Sequence, residues 1–253
     1  MQDHLTQKEI VQFWTEYIDW PKREQGEKRF SARTLHKQGC KTVFNAACGD
    51  GFDSIQLIKA GFTVTSNELD PNFRIEAEKN VRKTGIALAF TPGYDWRTIP
   101  ESLTESFDAV ICLGNSLTYL HKREEQLQAL KNFRRMLKPE GITIVDQRNY
   151  DYMLEDRVHI LTNPQHNFRY SRRFYYCSQT IHSYPIVIED NRVVLEYKHE
   201  QTGRTMHLEL YPFRRDELRQ LMKEAGFKTV TTYGDFEKER RDEVDFYQHV
   251  AHK

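Results

Sequence analysis

The sequence predicts an α/β protein with a doubly wound, mostly parallel sheet of seven strands and an inserted antiparallel sheet. Three observations lead there. Between residues 41 and 145, short β-branched or apolar runs alternate with amphipathic stretches of helical period, the signature of parallel strands joined by crossover helices. From about 155 to 212 that rhythm gives way to strand-like runs alone. Beyond 212 one helical stretch and two strands return. The chain therefore divides into an N-terminal helical segment (1–40), a main domain (41–154 with 213–253) and an antiparallel lid inserted in it (155–212).

The elements follow in order. Thr6 and Glu9 are spaced as a capping box, and Ile10, Phe13, Trp14 and Tyr17 then form an apolar helical stripe that Pro21 is expected to close. A second short helix is expected over about 27–38. Lys41–Ala46 reads as a buried strand running into the turn Cys48-Gly49-Asp50-Gly51. A helix over Asp53–Ala60 stops at Gly61, and Phe62–Ser66 is the second strand. Pro71 opens a helix to about Thr84, followed by strands at Ala87–Phe90 and Phe107–Leu113. Glu124–Leu137 is helical, the run Lys138-Pro139-Glu140-Gly141 ends it, and Ile142–Val145 is the fifth strand. In the insertion the strand-like runs are Arg173–Tyr176, Tyr184–Ile188, Val193–Tyr197 and Met206–Tyr211, with no helical pattern between 155 and 212. Leu218, Leu221, Met222 and Ala225 mark the last helix, stopped by Gly226, before strands at Lys228–Thr232 and Phe246–Ala251.

Composition narrows the function classes. The 253 residues carry 37 basic and 37 acidic side chains, so the formal net charge is zero and a dedicated nucleic-acid binder, with its basic excess, is not expected. A mean hydropathy of −0.75 and no apolar run near eighteen residues exclude a membrane-spanning helix. The first residues contain no apolar signal segment, and a cytoplasmic protein is expected. Cys40, Cys48, Cys112 and Cys177 stand far apart, as reduced buried thiols do, and the ten histidines show no ligand spacing, so no metal is expected.

The turn after the first strand, Ala47-Cys48-Gly49-Asp50-Gly51, lets backbone approach a nucleoside-bearing ligand closely. Glu68, seventeen residues beyond Gly51 at the end of the second strand, is placed to accept from ribose hydroxyls. A dinucleotide site would want a third glycine where Ser54 stands, and the Asp50 carboxylate between the glycines repels a pyrophosphate but tolerates a cationic amino acid and sulfonium. On this loop alone S-adenosylmethionine, a dinucleotide and a turn with no ligand remain open.

The segments Phe107-Asp-Ala-Val-Ile-Cys-Leu-Gly-Asn-Ser116 with Leu120, and Asp146-Gln-Arg-Asn-Tyr-Asp151, are more specific. With Ala47-Cys48-Gly49, Asp53-Ser54-Ile55, Gly61-Phe62-x-Val64-Thr65-Ser66, Phe13-Trp14-x-x-Tyr17-Ile18 and Tyr211-Pro212, all in order, the chain resembles the glycine and sarcosine N-methyltransferases from about Phe13 onward. The resemblance is thin at 71–93 and 155–170.

The resemblance implies a Rossmann-like class I methyltransferase using S-adenosylmethionine, releasing S-adenosylhomocysteine, and acting on a small amine of the glycine and sarcosine class. It implies Ala47 and Gly49 along the methionine part, Glu68 on the ribose, and Asp95 and Trp96 at the adenine. Leu113, Asn115, Ser116 and Tyr119 fall below the sulfonium, and Trp14 and Tyr17 close over it. Arg148 receives the substrate carboxylate, while Asn115, Tyr17, Tyr176, Tyr197 and Tyr211 surround the amine. Some positions depart from the family. Asn45 stands where an acid is usual, which leaves the cofactor ammonium one partner fewer and points to Asp50 as compensation. Glu68 replaces a commoner Asp, Tyr119 replaces a His, and Arg23 aligns only loosely with the family's methionine-carboxylate ligand. A larger amine or ring nitrogen, and a non-catalytic cofactor-binding regulator, are the alternative functions. A monomer or weak homo-oligomer is expected by analogy.

Overall fold

The computed structural model describes residues 5–168, 177–178, 180–237 and 244–253. A seven-stranded sheet has the order β3-β2-β1-β4-β5-β10-β9. Its strands are β1 (Thr42–Asn45), β2 (Thr63–Ser66), β3 (Ala89–Phe90), β4 (Phe107–Cys112), β5 (Leu137–Arg148), β9 (Thr229–Gly234) and β10 (Phe246–His252). The pairs β1–β2, β1–β4, β2–β3 and β4–β5 are parallel, whereas β10 runs antiparallel to both β5 and β9. A second, three-stranded antiparallel sheet is formed by β6 (Ile181–Glu189), β7 (Arg192–His199) and β8 (Thr205–Leu210). The doubly wound sheet and the separate antiparallel sheet are thus those the strand patterning predicts.

Both faces of the large sheet are covered, which is why its central strands read as unbroken apolar runs. On one face Phe44, Val110 and Val145 pack with Leu130 and Phe133 of α6 (Arg123–Met136) and Leu218 and Met222 of α10 (Glu217–Glu224). On the other, Val43, Ile111 and Ile144 pack with Leu35 of α3 (Phe30–Lys37) and Leu57 of α4 (Phe52–Lys59). A third apolar cluster belongs to the antiparallel sheet: Ile181, Val193, Leu195, Tyr197 and Met206 meet Phe13 and Tyr17 of α1 (Gln7–Tyr17) and Tyr150. The first helix is therefore part of the roof formed by the insertion.

Several local expectations are corrected. Pro21 does not close α1. The helix ends at Tyr17, and Pro21 lies in the first turn of α2 (Trp20–Glu27), where its missing N–H costs nothing and the Asp19 side chain caps the Lys22 amide. The helix expected over about 27–38 is α3, Phe30–Lys37, and α2 ahead of it was not expected; the two are separated by Lys28 and Arg29, both left-handed. After α7 (Asp151–Glu155), the insertion opens with two short helices, α8 (Arg157–Thr162) and α9 (Pro164–Asn167), each too short to show a helical period. The fifth strand begins earlier than expected, at Leu137, with a register shift between Phe107 and Ala109 on its neighbour. The run at 173–176 lies outside the described residues.

All four cysteines are buried and free, and burial pushes the thiols of Cys40 and Cys177 up to about 11. Among the described residues no helix is long and apolar enough to cross a membrane, and no three His, Cys, Asp or Glu side chains group to hold a metal ion.

Candidate active site

A cavity of about 940 Å³ opens at the carboxyl ends of β1, β2, β4 and β5, beneath α1 and β8. Open parallel sheets bind ligands in this place, where the strand order reverses beside β1. Trp14, Tyr17, Arg23, Ala47, Gly49, Glu68, Asp95, Trp96, Leu113, Asn115, Ser116, Tyr119 and Arg148 all line it. The structure thus brings together residues separated by up to 134 positions in the chain, Trp14 to Arg148.

The glycine turn forms the first wall. Gly51 has φ +95°, and a Cβ there would meet Ala77 at 3.2 Å, so both its conformation and the adjoining α5 (Pro71–Arg82) require glycine. Glu68 ties the turn to the end of β2, accepting from the Gly49 amide at 2.7 Å and the Asp70 amide at 3.0 Å. Burial pushes its carboxyl up, with those two amides working in the opposite direction. The loop after β3 is held by Asn67, whose side chain donates to the carbonyls of Ala46 and Tyr94 and accepts from Thr91 and the Tyr94 amide. On that loop the Trp96 indole donates to Ala46 O at 2.8 Å, which fixes the ring against the cavity. Asp95 caps the following turn and is ion-paired with Arg97, so its carboxylate already has a cationic partner.

Arg23 reaches the cavity from α2 but is strongly committed. It donates to Asp53 at 2.9 and 3.1 Å and to Glu27 at 2.5 Å, with its guanidinium 4.3 Å from the Phe52 ring centre. Burial works against its charge, yet Asp53 and Glu27 outweigh that and hold it protonated. Asp50 accepts from the Trp20 indole at 2.7 Å, and burial pushes its carboxyl up. Asn45, where an acid was looked for, faces inward instead, donating to Ser54 Oγ at 2.9 Å and accepting from the Ala47 amide.

The opposite end is built by β4, β5 and the roof. Arg148 is only 5% exposed; its guanidinium lies 3.5 Å from the Tyr197 hydroxyl and 5.2 Å from the Phe246 ring centre. Asn115 accepts from the Arg148 amide at 2.9 Å and donates to the Tyr150 hydroxyl at 2.8 Å. Trp14, Tyr17 and Tyr197 form a mutually tilted aromatic group with ring centres 4.9–5.7 Å apart. The Tyr17 hydroxyl is itself seated against Ser183 and Cys177.

Two expected tyrosines stand elsewhere. Tyr197 is fully buried behind the cavity wall, touching Arg148 rather than the open space. Tyr211 lies outside the lining, donates to Glu217 at 2.6 Å and packs on Phe213. Tyr176 lies outside the described residues. Residues that sequence reasoning passed over include Asp146, Leu69, Phe73, Met206, Leu208 and Phe246. Asp146 stood inside a run already singled out, two positions before Arg148 on the same strand face, and that alternation was the available signal. The roof residues carried none, because their place depends on how the insertion folds back.

The donor set suits a cationic nucleoside amino acid. Seven carboxylates, of Glu27, Asp50, Asp53, Glu68, Asp70, Asp95 and Asp146, line the cavity against the arginines 23, 97 and 148. Trp96 and Leu69 offer flat apolar surface, and the turn at Gly49–Gly51 admits ligand close to backbone.

Comparison with known proteins agrees. A family model described as a methyltransferase domain matches residues 43–141. A glycine/sarcosine N-methyltransferase of Aphanothece halophytica is 38% identical across 99% of this chain and 92% of its own length. A glycine/sarcosine/dimethylglycine N-methyltransferase of Actinopolyspora halophila is 35% identical over 96% of this chain and 41% of that longer protein. Among solved structures, an S-adenosylmethionine-dependent methyltransferase from Clostridium acetobutylicum superposes with a TM-score of 0.68 at 15% identity, covering 92% of each chain.

Proposed function

The chain belongs to the glycine/sarcosine N-methyltransferase family, and from that premise we propose that it methylates the amino nitrogen of glycine and of sarcosine with S-adenosylmethionine as donor. The donor supplies a methyl group on a sulfonium, which is already a good leaving group for an in-line displacement. The protein's own work is therefore to bind, align and dry the reactants.

The observation that carries this reading is Arg148, a buried guanidinium at the cavity end beside Asn115. Its planar fork suits a carboxylate, and anchoring that group places the amine of a small amino acid a fixed distance away. Asn115 Oδ1 has a second lone pair to accept an amine hydrogen, which orients the nitrogen lone pair toward the methyl group. Trp14 and Tyr17 close the space above and exclude water. Glu68 takes the ribose hydroxyls, and Trp96 flanks the adenine. Because Arg23 is already shared by Asp53 and Glu27, it meets the methionine carboxylate as part of an ion cluster rather than as a lone cation.

The test is product formation from glycine, sarcosine and dimethylglycine offered separately, with products read by mass. Turnover on glycine or sarcosine is the expected result; donor binding with no turnover on any of the three would sink the substrate assignment. One observation favours a second reading, a larger amine: Ile10, Met206 and Leu208 add apolar lining to the cavity. Heterocyclic amines belong in the same assay. We further propose a cytoplasmic monomer or weak homo-oligomer that engages neither nucleic acid nor membrane, which sedimentation with and without ligand checks.

A further inference from the structure

Asp146 lies on the cavity wall at the carboxyl end of β5, 4% exposed, and the transfer as proposed does not require it to touch either reactant. We propose that Asp146 is a positioning residue for the amine, holding a left-handed turn at Gly114–Asn115 that aims Asn115 at Arg148. The proposal rests on the methyl-transfer reading of this cavity.

Five contacts carry it. The carboxylate accepts two consecutive backbone N–H groups, from Asn115 at 2.6 Å and from Gly114 at 3.1 Å. Both residues are left-handed, with φ +74° at Gly114 and +63° at Asn115. A residue with a side chain is strained there and stays only where its surroundings fix it. The Asn115 amide is in turn held at both ends: Nδ2 donates to the Tyr150 hydroxyl at 2.8 Å and to Thr118 Oγ1 at 3.1 Å, while Oδ1 accepts from the Arg148 amide at 2.9 Å and keeps its second lone pair.

These contacts close a ring. Asp146 and Arg148 are next-but-one neighbours on β5, so their side chains leave the same face of the strand. The carboxylate of the first fixes the loop after β4, and that loop returns through Asn115 to the backbone of the second. The direction of the Arg148 fork and the place of Asn115 Oδ1 are thereby set together. A carboxylate can serve both amides because it only accepts; an asparagine at 146 turns a donor toward one of them and leaves a buried N–H unsatisfied.

A double-mutant cycle tests this, with Asp146→Asn and Asn115→Gly measured singly and together. The readings are kcat/KM for glycine and the S-adenosylmethionine dissociation constant without amine. Asp146→Asn is expected to lower kcat/KM by roughly 100-fold while donor affinity changes by less than about threefold. Because both residues act through one turn, the double variant should be within about threefold of the worse single variant. Effects that multiply, or donor affinity lost in parallel with kcat/KM, would overturn the positioning role. If Asp146→Asn does not fold, Asp146→Glu keeps the charge and moves it by one methylene; a roughly tenfold loss in kcat/KM with donor binding intact supports the proposal, and unchanged kcat/KM refutes it. Wild-type protein that binds the donor yet methylates neither glycine nor sarcosine would bring down the reaction assignment as well, and with it the role of Asp146. Normal wild-type turnover with a multiplicative cycle removes the role alone.

Discussion

Asp108 and Asp146 stand on neighbouring strands of one sheet and do the same thing at opposite ends of it. Asp108, near the start of β4, accepts the consecutive amides of Lys41 and Thr42 at 2.9 and 2.8 Å. Asp146, near the end of β5, accepts those of Gly114 and Asn115. Their surroundings differ. Asp108 keeps a quarter of its side chain in water and meets Lys138 Nζ at 2.9 Å. Burial opposes its charge, but Lys138, the two amides and the Thr42 hydroxyl prevail and hold the carboxyl well below the usual range. Asp146 is wholly buried, and desolvation pushes it up to about 6 despite the same two-amide grip. A carboxylate clamp that is wetted and ion-paired secures the fold. The same clamp kept dry holds a left-handed turn and faces the cavity.

The contrast can be broken at either end. The largest effect is expected beside the dry clamp: Arg148→Lys should reduce kcat/KM for glycine by roughly 100- to 1000-fold with donor affinity nearly unchanged, because an ammonium cannot form the fork. Near-normal steady-state turnover would remove the anchor. Asp108→Asn should show the opposite signature, a loss of about 2 kcal/mol of stability in denaturant titration with kcat/KM within about twofold of wild type. Since the folded carboxyl of Asp108 lies below its unfolded value, its contribution is present above the ordinary carboxyl range and lost as pH falls, so the gap between variant and wild type should narrow below about pH 4.

The dry clamp should also be visible in a pH profile. Asp146 shares its neighbourhood with Arg23, Asp53 and Glu27, and only its ionised form accepts both amides. Log kcat/KM should fall with a slope of about one as the substrate amine gains its proton, and below about pH 6 the slope should approach two. A profile without that break in wild type would count against an ionised Asp146 being required. The smallest effect is expected at Tyr211→Phe, which loses a bond to Glu217 away from the cavity and should leave glycine kinetics within about twofold. A large loss there would show that Tyr211 reaches the substrate.

The same contrast explains how far the sequence could be read. The strands, their order of appearance and the glycine turn are local matters, written in Val43, Val64 and Ile111 or in Gly49 and Gly51. The cofactor-side residues come from the family resemblance, and those beside strand ends, Ala47, Gly49, Glu68 and Leu113, do line the cavity. Pro21 was ambiguous because proline both stops one helix and opens another; Asp19, two residues before it, was the deciding cap. Tyr197 and Tyr211 could not be separated by pattern, because both lie where aromatics suit strands or their ends, and only the packing of the roof turns one toward Arg148 and the other toward Glu217. Asp146 was legible as part of a motif but not as a clamp, since the amides it holds lie 31 and 32 residues earlier.

The roof has a core of its own. Phe13, Tyr17 and Tyr150 pack with the antiparallel sheet, while the two clusters flanking the large sheet are built from other residues. Substitutions inside the roof therefore reshape the space above Arg148 without disturbing the strands that carry Glu68 or the glycine turn. In evolutionary terms the roof can be repacked among its own residues while the sheet changes only within the limits of its own packing.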